Sequence, residues 1–210
     1  MNNENSIAIQ NEHVVHRDDV GARLGMWLFL FTELLLFGGL FLVYAVYRHL
    51  YYEDFKIAAL SLNTTIGTLN TIILLTSSLT VALSIAVLQK GKRQLSIILL
   101  MLTDVLAIIF MINKYFEWSA KIHHGIFPGS EHLLGLPEGQ ILFYGLYYIM
   151  TGLHALHIII GIVFISIVLV FVSRGSVNEN NYVKLENAGL YWHLVDLIWI
   201  FLFPFFYLIQ

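Results

Sequence analysis

The sequence predicts an all-α membrane protein, a bundle of five transmembrane helices with the N-terminus cytoplasmic and the C-terminus external. Composition points there first: hydrophobic residues fill 58% of the 210 positions and charged residues only 12%, against about 25% charged in a soluble domain. Second, apolar runs at 22–47, 66–88, 95–117, 141–172 and 190–209 each reach the roughly 20 residues that a helix needs to cross the hydrocarbon core. Third, 66–88 and 141–172 hold no Asp, Glu, Lys or Arg, so neither has the polar face of an amphipathic helix on a soluble protein. Short alternating strands of the kind that build a membrane barrel do not occur.

Residues 1–21 are polar (Asn2, Asn3, Glu4 and Asn5, then His13 to Asp19) and read as an aqueous tail. They lack the basic-then-apolar order of a cleaved signal. The remaining 22–210 form the bundle. Thr71, Thr76, Ser77, Ser78 and Ser84 in the second run, and Gly145, Gly152 and Gly161 in the fourth, are small enough to let backbones approach within a membrane. The connection 118–140 carries the turn signals Pro128-Gly129 and Leu136-Pro137-Glu138-Gly139. No connection is long enough for a soluble domain. No internal repeat supports an inverted-repeat transporter.

Orientation follows from Lys and Arg. Arg17, Arg23, Lys90, Lys92, Arg93, Arg174 and Lys184 fall on the N-terminal side, and Arg48, Lys56, Lys114 and Lys121 on the other. The net charge of −3 is spread thinly, so no basic patch recommends a nucleic-acid partner. The absence of cysteine excludes disulfides, thiolate metal sites and a thiol nucleophile.

Polar residues inside the runs are the functional candidates, because a charge at the bilayer centre is costly. Glu33 has Phe29, Leu30, Leu36 and Phe37 as its helical neighbours; it must face protein or a polar cavity, pair, or stay protonated. It reads either as a structural acid bonded between helices or as a proton-active or lipid-contacting carboxyl. Asp104, midway along the third run, poses the same question. In the fourth run Thr151, His154, His157 and Gly161 fall within an arc of about 120°. Metal or haem ligation and hydrogen bonding in the core are both open to the two histidines, although the run has no Asp or Glu to complete a bundle metal site. Glu186, His193 and Asp196 lie within about 80° around the last helix. They read as a locked structural pair with an outlying acid or as a proton-collecting cluster at the cytoplasmic end.

Together these residues resemble the subunit III family of haem–copper oxidases over nearly the whole chain after the tail. The likeness rests on Leu24-Gly25-Met26-Trp27 with Glu33 and Phe37, then Glu117-Trp118, then Thr151-Gly152 with His154 and His157. It ends on Glu186, Tyr191-Trp192-His193, Val195-Asp196 and Trp199. The longest family members have seven helices, and this chain resembles their last five; the other pair is absent or supplied by an extended subunit I. Leu194 stands where the family pattern has Phe, and Asp104 has no family counterpart.

The resemblance implies a subunit without redox centres, the haems and copper residing in subunits I and II of a complex in the bacterial cell (inner) membrane. It implies support of proton uptake, bound phospholipid, and protection of the oxidase during turnover. It makes Glu33, His154, His157, Glu186, His193 and Asp196 the proton-, lipid- or structure-related positions, with no metal site and no catalytic residue. Two rival readings are an accessory subunit of a quinol oxidase or nitric oxide reductase, and a stand-alone membrane metalloprotein using His154, His157 and His193. The isolated chain is expected to be colourless; a visible spectrum and metal analysis check this, and a stoichiometric Soret band or bound copper would contradict it.

Overall fold

The computed structural model describes residues 18–208, all helix and connection. Most of the expected tail lies outside the described residues. Its last residues already belong to the first helix, α1 (Asp19–Leu50), which starts where the Asp18 carboxylate accepts a hydrogen bond from the Gly21 backbone N–H. There follow α2 (Tyr52–Ala59), α3 (Thr64–Gln89), α4 (Arg93–His123), α5 (Glu131–Leu134), α6 (Glu138–Arg174) and α7 (Val183–Tyr207). Five of these, α1, α3, α4, α6 and α7, are long and apolar enough to cross a membrane. The short α2 and α5 sit in the connections at one end.

The helices outrun the apolar stretches at most ends. Hydropathy marks where lipid begins, whereas capping and glycine mark where a helix stops. Thus α6 continues through Arg174 to Gly175, which takes the left-handed conformation at φ 80°. Likewise α7 begins at Val183, so Glu186 lies inside its first turn. α4 runs past 117 to His123. This corrects one expectation: Lys114, near the end of the third run, and Lys121, in the connection after it, are both counted above among the external cations, yet both are buried residues of α4.

α3 and α4 pack as an antiparallel hairpin, and α7 lies among α1, α3 and α6. Gly161 sets the α6–α7 distance, since a Cβ there would stand 2.7 Å from the Trp192 ring. α1 is the peripheral helix. It buries a single stripe, Leu30, Phe37 and Tyr44, one residue every two turns. Near the α2 end, Tyr44, Phe55, Phe143 and Phe206 form edge-to-face contacts at centroid distances of 5.0–5.6 Å, the geometry that aromatic quadrupoles favour.

Toward the same end the core holds an ion pair. The Lys114 ammonium lies 3.1 Å from Glu117 Oε2 and donates to the Tyr207 hydroxyl at 3.0 Å. Tyr147 and Tyr207 donate to Glu117 Oε1 at 2.7 and 2.5 Å. The rings of Tyr147 and Trp199 stand 5.1 and 5.2 Å from the ammonium. One node therefore joins α4, α6 and α7. A buried pair of this kind is weak evidence of net stability, but removing one partner strands the other charge. Glu117→Leu should cost about 3–5 kcal/mol in thermal unfolding of the detergent-solubilised protein, and adding Lys114→Met should recover part of it. A double variant no better than the single one would show that the stranded charge is not the cause.

Candidate functional site

The intramembrane acid of α1 meets a histidine of α6. Glu33 Oε2 lies 2.9 Å from His157 Nε2, with both side chains largely buried. His157 Nδ1 lies 2.7 Å from the Leu153 carbonyl oxygen. A carbonyl only accepts, so Nδ1 carries a proton and donates it, which leaves two states for the pair. Either a neutral imidazole accepts from a protonated Glu33 or an imidazolium donates to its carboxylate. Both arrangements place one proton between the two groups and leave the pair neutral, the condition under which an acid is tolerated in hydrocarbon. Phe37 meets the imidazole edge-on at 5.4 Å, and the Tyr191 hydroxyl donates to the His157 carbonyl at 2.9 Å.

His154 shares the helix arc but not the role. It is fully buried, stacked on Trp199 at 5.2 Å and edge-on to Phe110 at 5.8 Å, and neither ring nitrogen has a hydrogen-bond partner among the described residues. His193 belongs elsewhere: its Nδ1 lies 2.6 Å from Ser78 Oγ on α3. The three histidines of the metal reading thus do not converge, and no group of three His, Asp or Glu among the described residues is placed to share an ion.

Glu186, His193 and Asp196 do not form one cluster either. Glu186 pairs with Arg23 of α1 at 2.7 Å. His193 engages Ser78. Asp196 is buried, and among the described residues neither of its oxygens has a partner within hydrogen-bond geometry, although the Ser78 hydroxyl faces it. Angular proximity on a helix wheel ignores the rise: Glu186 and Asp196 are about 15 Å apart along the axis. What α7 does present to α3 is a row of donors meeting small hydroxyls, Trp192 Nε1 to Ser77 at 3.1 Å and Trp199 Nε1 to Thr71 at 3.0 Å.

A groove follows the α1–α7 seam. Its polar mouth is formed by Arg23, Glu186, Asn187 and His193 beside Trp27, and its floor by Leu30, Leu34, Leu190 and Leu197. It continues along Gly38, Phe41 and Phe201. The Lys114–Glu117 node was not among the expected site residues. Its signal was present, a Lys and a Glu at i, i+3 where an apolar run should be ending. It was masked because Lys114, at the end of the run, was counted with the external cations.

The family model described as cytochrome c oxidase subunit III matches residues 3–210. The chain belongs to the cytochrome c oxidase subunit III family. Among similar members, a probable quinol oxidase subunit 3 of Staphylococcus saprophyticus is 30% identical, over 89% of this chain and 88% of its own. A cytochrome c oxidase subunit 3 of Prototheca wickerhamii is 32% identical, over 91% of this chain and 70% of its own. A heme-copper oxidase subunit I+III of Aeropyrum pernix is 30% identical over 89% of this chain, which corresponds to 22% of that longer protein.

In this subunit III chain the Glu33–His157 bond can be tested by what it must supply. Glu33→Gln keeps an N–H donor for Nε2, whereas Glu33→Leu leaves a buried nitrogen without one, worth about 1–3 kcal/mol. The Leu variant should therefore unfold at a clearly lower temperature than the Gln variant. Equal loss in both would show that His157 does not depend on Glu33.

Proposed function

We propose that this multi-pass membrane protein is the non-catalytic subunit III of a respiratory, proton-translocating haem–copper oxidase in the bacterial cell membrane. It lies against subunit I, with subunit II in the same complex, supports proton uptake and turnover stability, and carries no redox centre of its own. Family membership places it in an oxidoreductase complex. The Glu33–His157 pair is the observation that carries the finer reading. It holds one exchangeable proton inside the membrane without net charge, and the other intramembrane acids and histidines are distributed singly or in pairs between helices. The α1–α7 groove fits a phospholipid, its charged mouth at headgroup level and its apolar floor at acyl level. Fusion of the two subunits in the Aeropyrum relative supports subunit I as neighbour. A quinol-oxidising parent complex is the second reading, favoured by the staphylococcal relatives.

The N-terminus is cytoplasmic in this reading. With Lys114 and Lys121 buried in the bundle, only Arg48 and Lys56 remain at the α2 end, against Arg23, Lys90, Lys92, Arg93, Arg174 and Lys184 at the other, as the positive-inside rule requires. Glu186 and His193 then sit near the face from which protons are drawn, and a polar surface there raises local proton supply. Stripping the chain from the complex should leave initial oxygen uptake substantial, slow it most at alkaline pH where protons are scarce, and shorten the active lifetime. Oxygen uptake over successive turnovers, at mildly acidic and mildly alkaline pH, checks this. Complete loss in the first turnovers with haems still bound would contradict a supporting role.

A further inference from the structure

We infer that Asp196, Ser78 and His193 form a proton relay that joins a buried acid of α7 to the mouth of the α1–α7 groove. That the mouth faces the cytoplasm rests on the reading proposed above; the relay itself rests on geometry. Asp196 and His193 stand three residues apart on one face of α7. The Ser78 hydroxyl of α3 lies 2.6 Å from His193 Nδ1 and faces the Asp196 carboxyl. Asp196 is 3% exposed, and among the described residues neither of its oxygens has a partner within hydrogen-bond geometry and no Lys or Arg pairs with it. Other hydroxyls of α3 are spent locally: Thr71, Thr76, Ser77, Thr80 and Ser84 each donate to a backbone carbonyl three or four residues back. Ser78 bonds no carbonyl among the described residues, so its proton is free to serve the two side chains of α7. With Nδ1 engaged, Nε2 is the nitrogen that His193 turns to the groove, whose mouth and floor it lines. Arg23 and Glu186, paired with each other, are the charged groups that share the mouth with it.

Counting protons gives the mechanism. A hydroxyl has one proton to donate, and two groups face it. If Ser78 donates to Nδ1, Asp196 can meet the hydroxyl only by bringing a proton of its own. If Ser78 donates to an Asp196 carboxylate, Nδ1 must carry a proton and donate to Ser78. A rotation of the carboxyl about its side-chain bonds brings an oxygen onto the hydroxyl it faces. The acid O–H bond of Asp196 then breaks as its proton joins the Ser78 oxygen, and the Ser78 proton passes to Nδ1. His193, still protonated at Nε2, becomes an imidazolium and releases the Nε2 proton to a water in the groove mouth. The reverse steps reload Asp196. The neutral acid is the resting form, because a carboxylate with one donor is costly inside the membrane. Asp196 lies about 9 Å along the axis past the start of the apolar run, and His193 about 4.5 Å nearer the mouth. Among the described residues no polar partner extends the path beyond Asp196, so the three residues hold and return one proton and do not conduct it across the membrane.

The test uses the protein as purified from its membranes, with infrared spectra recorded while water is exchanged for deuterium oxide. Subtracting the spectrum of Asp196→Asn isolates the protonated-carboxyl stretch of Asp196, and the downshift of that band times the arrival of deuterium. The unmodified protein should show the band at neutral pH. Ser78→Ala and His193→Phe should keep the band and slow its downshift severalfold, whereas Ser78→Thr, which retains a hydroxyl, should exchange like the unmodified protein. A variant that merely loosens the bundle would exchange faster, so poor folding cannot imitate the expected result. Absence of any Asp196-dependent carboxyl band, or a downshift no slower in Ser78→Ala and His193→Phe, would overturn the inference. If no haem-bearing chain accompanies the protein, the oxidase reading fails, while the exchange rates still decide the relay.

Discussion

In hydrocarbon there is no water to satisfy a stranded polar group, so an acid, amine or imidazole inside this bundle is costly unless another helix answers it. That constraint organises the molecule. The Glu33–His157 bond is how it acts on α1, the peripheral helix, where it joins a buried stripe of Leu30, Phe37 and Tyr44, the Arg23–Glu186 pair and the Tyr44 hydroxyl's bond to the Phe205 carbonyl in holding α1 to α6 and α7. The Lys114–Glu117 pair, answered by Tyr147 and Tyr207, is how it acts on α4, α6 and α7. The hydroxyls of α3 are its third expression, since Thr71, Ser77 and Ser78 meet Trp199, Trp192 and His193 in turn.

These arrangements differ in what they allow. The Lys114–Glu117 node is enclosed by rings and hydroxyls, and its charges balance within the core; it holds helices. Glu33 and His157 join the peripheral helix α1 to α6. A single proton lies between them, and in either position the pair as a whole carries no net charge. In the proposed reading this pair takes part in proton supply and the α1–α7 groove holds an amphiphile, while electron transfer belongs to the partner subunits.

Much of this was legible from the residues. Length and apolarity place the five crossing helices, because crossing a bilayer is a one-dimensional requirement. Glu33 and His157 stand out as polar residues in apolar runs, and the Gly161 signal for close packing is the real contact with Trp192. The partner of each polar residue was not legible, because pairing depends on how helices cross, not on the order within one helix. Glu33 reaches across 124 positions to His157. Glu186, His193 and Asp196 share a face, yet the rise of the helix gives each a different environment. Lys114 was counted with the external cations because hydropathy falls off where α4 keeps going.

The account stands or falls on the company this chain keeps. The direct measurement is to purify the tagged protein from its own membranes and record the reduced-minus-oxidised spectrum and subunit composition of what comes with it. The account predicts a haem- and copper-bearing subunit in equal amount, its absorbance lost when the chains are separated and retained by the partner. Recovery of this chain without any haem-bearing partner, or with the haem remaining on this chain after separation, would contradict it.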